Sequence, residues 1–534
     1  MIRHDSPGSE AGTQMHSFSQ VPAASIERSA MDRSSSLDTT FDGGLLIPVL
    51  CDDILPGDTI NLNIEKLIRL NTPILPLMHN VYVDTHVWFV PNRLLWTNWQ
   101  KFMGEQTNPA DSISYVTPKL NSVANIALSS ISDYMGLPVG IPVPTAAGVT
   151  CFDWRAYNLI WNQWYRDENL QNSVTINTGD GPDAVTDYAL LYRGKRKDYF
   201  TGALPWAQKG ATVTIPLGTS APVSIRGNDT QPYAHTSGTG DALVTVVSGA
   251  IKTGAATGAI RWGNSANAWG DTGLVGTADL STATAASINL FRQSFAVQHL
   301  LERDARGGTR YVELLHSHFG VVSPDARLQR PEFLGGGSSP LLIHPVAQTS
   351  VTSGSSPLAN LAAVGTSTGG HSVVHSFVEH GVLMVLMSVR AELKYYQGID
   401  RRRTRNTRYD YYWPSFAHLG EQAILNQEIY YQNNGVTADT LTFGYQERYG
   451  EYRYGASKLT GLMRPGVAGT LSAYNLAQAF SALPALNDTF VRQSDPWSRV
   501  VAVNTEPTFR ANIQFNLKHV RPMPLFGTPG LRMM

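Results

Sequence analysis

The segment Thr508–Val520 alternates without a break, with Phe509, Ala511, Ile513, Phe515 and Leu517 interleaved with Arg510, Asn512, Gln514, Asn516 and Lys518. Successive side chains of a strand point to opposite faces, so a period of two over this length marks a β-strand with one buried and one wet face. Val81–Val90 repeats the pattern: Val81, Val83, Thr85, Val87 and Phe89 fall on one face, and Tyr82, Asp84, His86 and Trp88 on the other. That second face is too aromatic to be left bare, which predicts a covering layer. Thr59–Leu70 begins the same way with Ile60, Leu62 and Ile64, and further strands are expected over Val378–Tyr396 and Arg499–Asn504. Helical periods lie between these strands, and no βα repeat occurs. The pattern predicts a mainly β fold, an antiparallel core with long helical and loop insertions rather than a doubly wound sheet. A jelly roll satisfies it, as would another sandwich.

Pro91 closes the second of these strands, and a short helix is expected after it, with Leu95, Trp99 and Phe102 on one side and Gly104 as its stop. Asp153 is placed to cap another helix whose inner face is Tyr157, Ile160, Trp161 and Trp164. A third begins at Ile288, carries Phe291, Phe295, Val297, Leu300 and Leu301 at helical spacing, and stops at Gly307-Gly308. Residues 1–40, with few large apolar side chains, read as an irregular arm. Between 211 and 280, Ala, Gly, Ser and Thr exceed half of the residues. The β-branched pieces ATVTIPL and DALVTVVSGAIKT, with Trp262 and Trp269, still argue for an ordered insertion over a linker.

Composition narrows the function classes. Charged residues make up 16% of the 534 and aromatics 10%. Few charges and many rings fit a surface largely covered by neighbours, because interface cores lose charge and gain Tyr, Trp and Phe. The plainer alternative is a Thr- and Asn-rich β protein that is simply low in charge. The net charge of −1 means that any nucleic-acid contact must be local. Two cysteines, Cys51 and Cys151, are too few for a disulfide framework and fit a reducing cytoplasm. MIRHDSPGSEAG has no apolar run, so no signal peptide is expected, and Gly381–Val389 is too short to span a membrane.

Several long blocks, in order, resemble the major capsid proteins of microviruses, most closely the gokushovirus branch of small single-stranded-DNA phages. They are FDGGLLIPVLCDDILPGDT (Phe41–Thr59), NTPILPLMHNVYVDTHVWFVPNRLLWTNWQKFMGE (Asn71–Glu105), WRAYNLIWNQWYRDENL (Trp154–Leu170) and GKRKDYFTGALPWAQKG (Gly194–Gly210). Further on come LLERDARGGTRYVE, SHFGVVSPDARLQRPEFLGGG, RYDYYWP, FGYQERYGEYRY (Phe443–Tyr454) and RPMPLFGTPGL (Arg521–Leu531). Two regions depart from the family pattern, 211–286 and the Ser/Gly-rich 336–372.

The resemblance implies an eight-stranded antiparallel jelly roll of the viral capsid type, in a shell domain of 41–210 and 287–534. It implies about sixty copies in a T=1 icosahedral capsid enclosing circular single-stranded DNA. Residues 1–40 would be an inner arm, and 211–286 an inserted surface protrusion, a spike at the three-fold axes that meets a host receptor. A small basic DNA-binding protein and scaffolding or pilot proteins are implied partners. Assembly would take place in the host bacterial cytoplasm, giving a virion component with no enzyme activity, cofactor or metal.

The sharpest charge feature is Arg401, Arg402, Arg403, Arg405 and Arg408, followed by Tyr409, Tyr411, Tyr412 and Trp413. Guanidiniums neutralise phosphates and rings seat unpaired bases, which suits single-stranded nucleic acid. The competing reading pairs these arginines with carboxylates of a neighbouring subunit. Lys195, Arg196 and Lys197 form a second candidate basic patch. Inter-subunit contacts are expected at Trp96, Trp99, Phe102, Trp161, Trp164, Arg306, Arg310, Arg327 and Arg330.

Gly365-Thr366-Ser367-Thr368-Gly369 matches a nucleophile elbow but lacks its strand-to-helix context and reads as a Gly/Ser loop. His371, His375, Glu379 and His380 have helical metal spacing in a stretch that favours a strand, and His316 and His318 read as ordinary residues of one strand face. Asp52, Asp53 and Asp58 lack the spacing of a calcium loop. A carbohydrate-binding β protein is the alternative function, on the strength of the aromatic content.

Overall fold

The computed structural model describes residues 27–207 except 113, 122–124 and 143–147, and residues 329–526 except 348, 350–360 and 434–437. Between these it describes 208–211, 213, 223–227, 274–278, 288–306 and 317–318. The chain divides into two units, Met1–Ala207 with Thr309–Met534, and Gln208–Gly308.

The first unit is a sandwich of two antiparallel sheets. One runs β1 (Ser29–Asp32), β14 (Phe509–Arg521), β4 (Thr59–Leu70), β10 (Leu361–Ser376) and β9 (Leu342–Ala347), with β2 (Ser35–Phe41) also paired to β14. The other runs β3 (Ile47–Ile54), β11 (Gly381–Ala391), β5 (Val81–Pro91) and β8 (Glu332–Pro340). The alternation read from sequence is what joins them. Ile60, Leu62, Ile64 and Ile68 of β4 and Ile513, Phe515 and Leu517 of β14 meet Val83, Val87 and Phe89 of β5 and Leu383, Val385 and Met387 of β11 in one buried core. Each such side chain contributes roughly 1.5–3 kcal/mol of transfer free energy.

The opposite face of β5 and β11 is covered, as its aromatic content predicts. Trp88, Val90, Val382, Met384 and Leu386 pack with Trp154, Tyr157, Ile160 and Trp161. These last residues lie on α4 (Phe152–Ile160), which runs on as a π-helical turn over Trp161–Tyr165. Arg155, 2% exposed, holds α4 in place. Its guanidinium donates to both Asp183 oxygens at 2.7 Å and to the Leu95 and Gly179 carbonyls. A third cluster, including Tyr199, Phe200, Tyr395, Phe443 and Phe490, lies beside the hairpin of β12 (Glu421–Leu425) and β13 (Thr442–Glu447).

Several expectations need correction. The irregular arm does not extend to residue 40, because Ser29–Asp32 and Ser35–Phe41 are strands on the edge of β14; residues 1–26 lie outside the described residues. The helix expected from Leu95 to Phe102 is two separate turns, α1 (Asn92–Leu95) and α2 (Trp99–Phe102), and a third turn, α3 (Ile131–Tyr134), precedes α4. Asp153 lies in the first turn of α4 without making a capping bond. Arg499–Asn504 is not a strand: Trp497–Arg499 is a 3-10 turn, and Val500 and Val501 are both buried, which a one-sided strand does not allow.

The nucleophile-elbow match is not a loop but the middle of β10, paired to β9 and β4. Its glycines serve packing. A Cβ at Gly369 would stand 2.2 Å from Ser339 Oγ, and one at Gly337 would stand 2.0 Å from the His371 ring, so glycine lets β8 and β10 approach across one edge of the sandwich.

In the second unit, β6 (Val223–Gly227) pairs antiparallel with β7 (Leu274–Ala278). Helix α5 is described over Ile288–Arg306, and the expected stop at Gly307-Gly308 lies outside the described residues. The rest of the expected insertion, 211–286, is largely outside the described residues. His316 is outside them as well, and His318 lies in a short helical piece rather than a strand.

Candidate functional site

The first unit carries two basic, aromatic regions, and they are built differently. One is a cavity of about 440 Å³ lined from β5, the turn after α4, the 193–197 segment, β8 and β11. Its wall is aromatic. The Trp88 ring lies 5.1 Å from Trp164 and 5.0 Å from Phe333, and Tyr165 stacks on His86 at 5.9 Å. Arg166, Arg193, Lys195, Lys197 and Arg390 also line it.

Beneath these cations lies Asp84, buried on β5 opposite Ser388 of β11 and Ser338 of β8. Arg193 donates to it at 2.6 Å and Arg390 at 2.7 Å, and Arg196 stands 3.8 Å away. Three guanidiniums share one carboxylate, so the cluster retains positive charge. Burial alone would raise the Asp84 carboxyl, but Arg193 and Arg390 outweigh burial and hold it at about 2. Burial lowers His86 to about 4, helped by Arg193, so the ring is neutral near pH 7. The Tyr165 hydroxyl accepts from Trp88 Nε1 at 3.1 Å and shares a second hydrogen bond with His86 Nδ1, 2.7 Å away.

The predicted basic patch is only partly available. The Lys195 ammonium turns inward, donating to Gln478 at 3.1 Å and sitting 4.8 Å from the Phe490 ring, and burial lowers it to about 8. It is therefore not a free phosphate contact. Arg196 stacks on Tyr82 at 4.2 Å, and Lys197 pairs with Asp167 while remaining 61% exposed.

Trp164 is 39% exposed, donates to the Pro331 carbonyl at 2.9 Å and carries the Arg330 guanidinium 4.8 Å from its ring. Two residues expected at subunit contacts belong to the chain's own interior. Trp96 and Trp161 are buried, with their indole N–H groups on Asp180 and the Tyr192 carbonyl. Trp99 and Phe102 are half-buried against Trp96. Arg306 is exposed at the end of α5, and Arg310 and Arg327 lie outside the described residues.

The second region is the Arg401–Trp413 surface. Arg401 pairs with Glu428 at 3.0 Å and Arg405 with Glu451 at 3.2 Å, so neither is free. Arg402 stands 3.5 Å from Asp400, which Lys458 also contacts. Arg403 and Arg408 are exposed. Several rings already carry cations of the same chain: Arg405 lies 5.2 Å from Tyr411 and 4.3 Å from Tyr452, and Arg408 lies 4.8 Å from Tyr409.

The remaining motifs resolve into internal contacts. Asp52 meets Arg33 at 2.6 Å and His519 at 3.2 Å, and Asp58 meets Arg521 at 3.0 Å. Among the described residues, no group of three or more His, Cys, Asp or Glu is arranged to hold a metal ion. No described helix is long and apolar enough to cross a membrane. Trp88, Arg166, Phe333 and Arg390 carried no sequence signal as site residues; the sheet register and the turn after α4 bring them to the cavity.

Residues 19–531 match the family model described as Capsid protein (F protein). The chain is 43% identical to capsid protein VP1 of Bdellovibrio phage phiMH2K, covering 96% of this chain and 97% of that one. It is 40% identical to capsid protein VP1 of Chlamydia phage 1 over 96% and 97% of the two chains. Against capsid protein VP1 of Spiroplasma virus 4 the identity is 34%, over 98% and 99%. A match over nearly the whole length, on an antiparallel β sandwich, assigns the chain to the capsid protein (F protein) family of gokushovirus-type microviruses, a structural component of the virion and not an enzyme.

Proposed function

We propose that about sixty copies of this chain close into a T=1 icosahedral shell around a circular single-stranded DNA. The sandwich would be an eight-stranded jelly roll with its edges extended. The family match over 19–531 is the observation that carries the shell. Closed symmetry turns several weak contacts per subunit into cooperative stability. In this reading the insertion at 211–286 projects at the three-fold axes to meet the host surface. Shells assemble in the bacterial cytoplasm with a small basic DNA-binding protein and scaffolding or pilot proteins.

The Asp84 cavity supports a place for the genome. Unpaired bases stack on aromatic side chains, and a groove with excess cations follows the backbone. Trp164 and Phe333, both partly exposed, supply ring surface, and Arg166, Lys197 and Arg330 supply charge beside the Arg193–Arg390 pair. Electron microscopy of the chain expressed with its neighbouring genes tests the shell. Uniform small icosahedral particles with three-fold projections are expected, and only monomers or small oligomers would contradict it. Deleting 211–286 should leave shells intact and abolish attachment; loss of assembly would reject the host-attachment role.

A further inference from the structure

The Arg401–Trp413 surface invites the same genome-binding reading as the cavity, but its construction points elsewhere. Six large rings lie near half exposure: Tyr409 48%, Tyr411 52%, Tyr412 51%, Trp413 48%, Tyr452 51% and Tyr454 45%. Here Arg405 occupies faces of Tyr411 and Tyr452, Arg408 lies over its neighbour Tyr409, and Arg448 sits 4.9 Å from Tyr449 and 6.0 Å from Phe416.

Carboxylates are threaded through the patch as well. Glu447 pairs with Arg453 at 40% and 46% side-chain exposure, and Asp400 contacts both Lys458 and Arg402. A phosphate backbone laid across this surface would meet Asp400 and Glu447. A protein surface would meet rings and arginines, the residue types that dominate binding at protein interfaces.

We propose that this patch is the seat of a second copy of the chain. The inference rests on the capsid reading and adds which surface makes a contact. Both signs of charge lie on one patch, which a two-fold contact of a surface with itself requires, so Arg453 and Glu447 can exchange partners with their counterparts in the next copy. The area is sufficient. Six rings of 150–250 Å² at about half exposure present roughly 450–750 Å², most of the ~800 Å² that each partner contributes to a standard interface.

The test uses the full chain expressed with its neighbouring genes. Particle yield is read by sedimentation, DNA per particle by absorbance, and subunit folding by thermal unfolding. Tyr411→Ser with Trp413→Ser is expected to lower particle yield at least tenfold while the subunit still unfolds cooperatively. A charge pair guards against misfolding: Arg453→Glu alone is expected to lower the yield, and Arg453→Glu with Glu447→Arg to restore it. Normal yield with depleted DNA would overturn the proposal in favour of nucleic acid. Normal yield with normal DNA in all variants would overturn it outright. Absence of particles from the unaltered chain would remove the capsid reading beneath it, whereas particles that tolerate every variant would remove only this assignment.

Discussion

Asp84 and Glu447 each neutralise arginine, and the contrast between them separates two regions made from the same residue types. Asp84 is buried in the middle of a sheet and serves three guanidiniums, so positive charge remains beside an aromatic cavity. Glu447 is 40% exposed and serves Arg453 on a surface where several rings are covered by the chain's own cations. In the proposed reading the first arrangement suits an anion with an aromatic part. The second leaves a mixed-charge surface suited to protein. Residue composition alone therefore does not identify the partner; the balance of cations and carboxylates around the rings does.

The largest effect is expected from Asp84→Ala. It strands Arg193 and Arg390 in a mostly buried position, and removing one partner of a buried pair costs about 3–5 kcal/mol. A markedly lower thermal midpoint of the isolated subunit is the expected reading, and an unchanged midpoint would show that the cluster does not hold the sheet. Acid comes next. His86 has a folded pKa of about 4 against an ordinary 6.5, so protonation favours the unfolded chain. Its contribution is intact above pH 6.5 and declines as the pH falls towards 4, by on the order of 3 kcal/mol. Asp84, lowered from 3.8 to about 2, acts only below that window, where its contribution is lost as pH falls. Tryptophan fluorescence against pH should show the first transition, and His86→Gln should flatten it.

Trp164→Ala with Lys197→Gln should weaken binding of a short single-stranded oligonucleotide by about tenfold or more, given roughly 1–3 kcal/mol per stacked base. The salt dependence should fall by a slope of about 0.7 for the lost lysine. Equal binding by this variant and the unaltered chain would take the genome away from the cavity. The smallest effect is Glu447→Gln in the isolated subunit, below about 1 kcal/mol for an exposed pair. A cost as large as that of Asp84→Ala would erase the distinction between the regions.

How much of this was legible depends on the range of the interaction. Strands β4 and β14 are readable because a half-buried strand writes its two faces into consecutive residues, and β5 because its two faces meet different layers. The cover over Trp88 followed from the same alternation. The Gly365–Gly369 part of β10 reads as loop because Gly369 meets a packing need, close approach of Ser339, that local propensity does not record. The inward turn of Lys195 was invisible for a related reason, since Gln478 lies 283 residues away. The Arg401 cluster was found, but Glu428 and Glu451, which tie Arg401 and Arg405, could not be paired with them from sequence. Trp96 and Trp161 looked like contacts because an indole suits an interface and a core equally well.

A single-particle reconstruction of genome-filled particles tests the account most directly. It predicts about sixty subunits in T=1 symmetry, the cavity beside Trp164 facing inward with nucleotide density against the Trp164 and Phe333 rings, and a second copy seated on Tyr411 and Trp413. A shell whose Asp84 cavity opens outward and empty, with DNA density lying along Arg401–Trp413 instead, would contradict it.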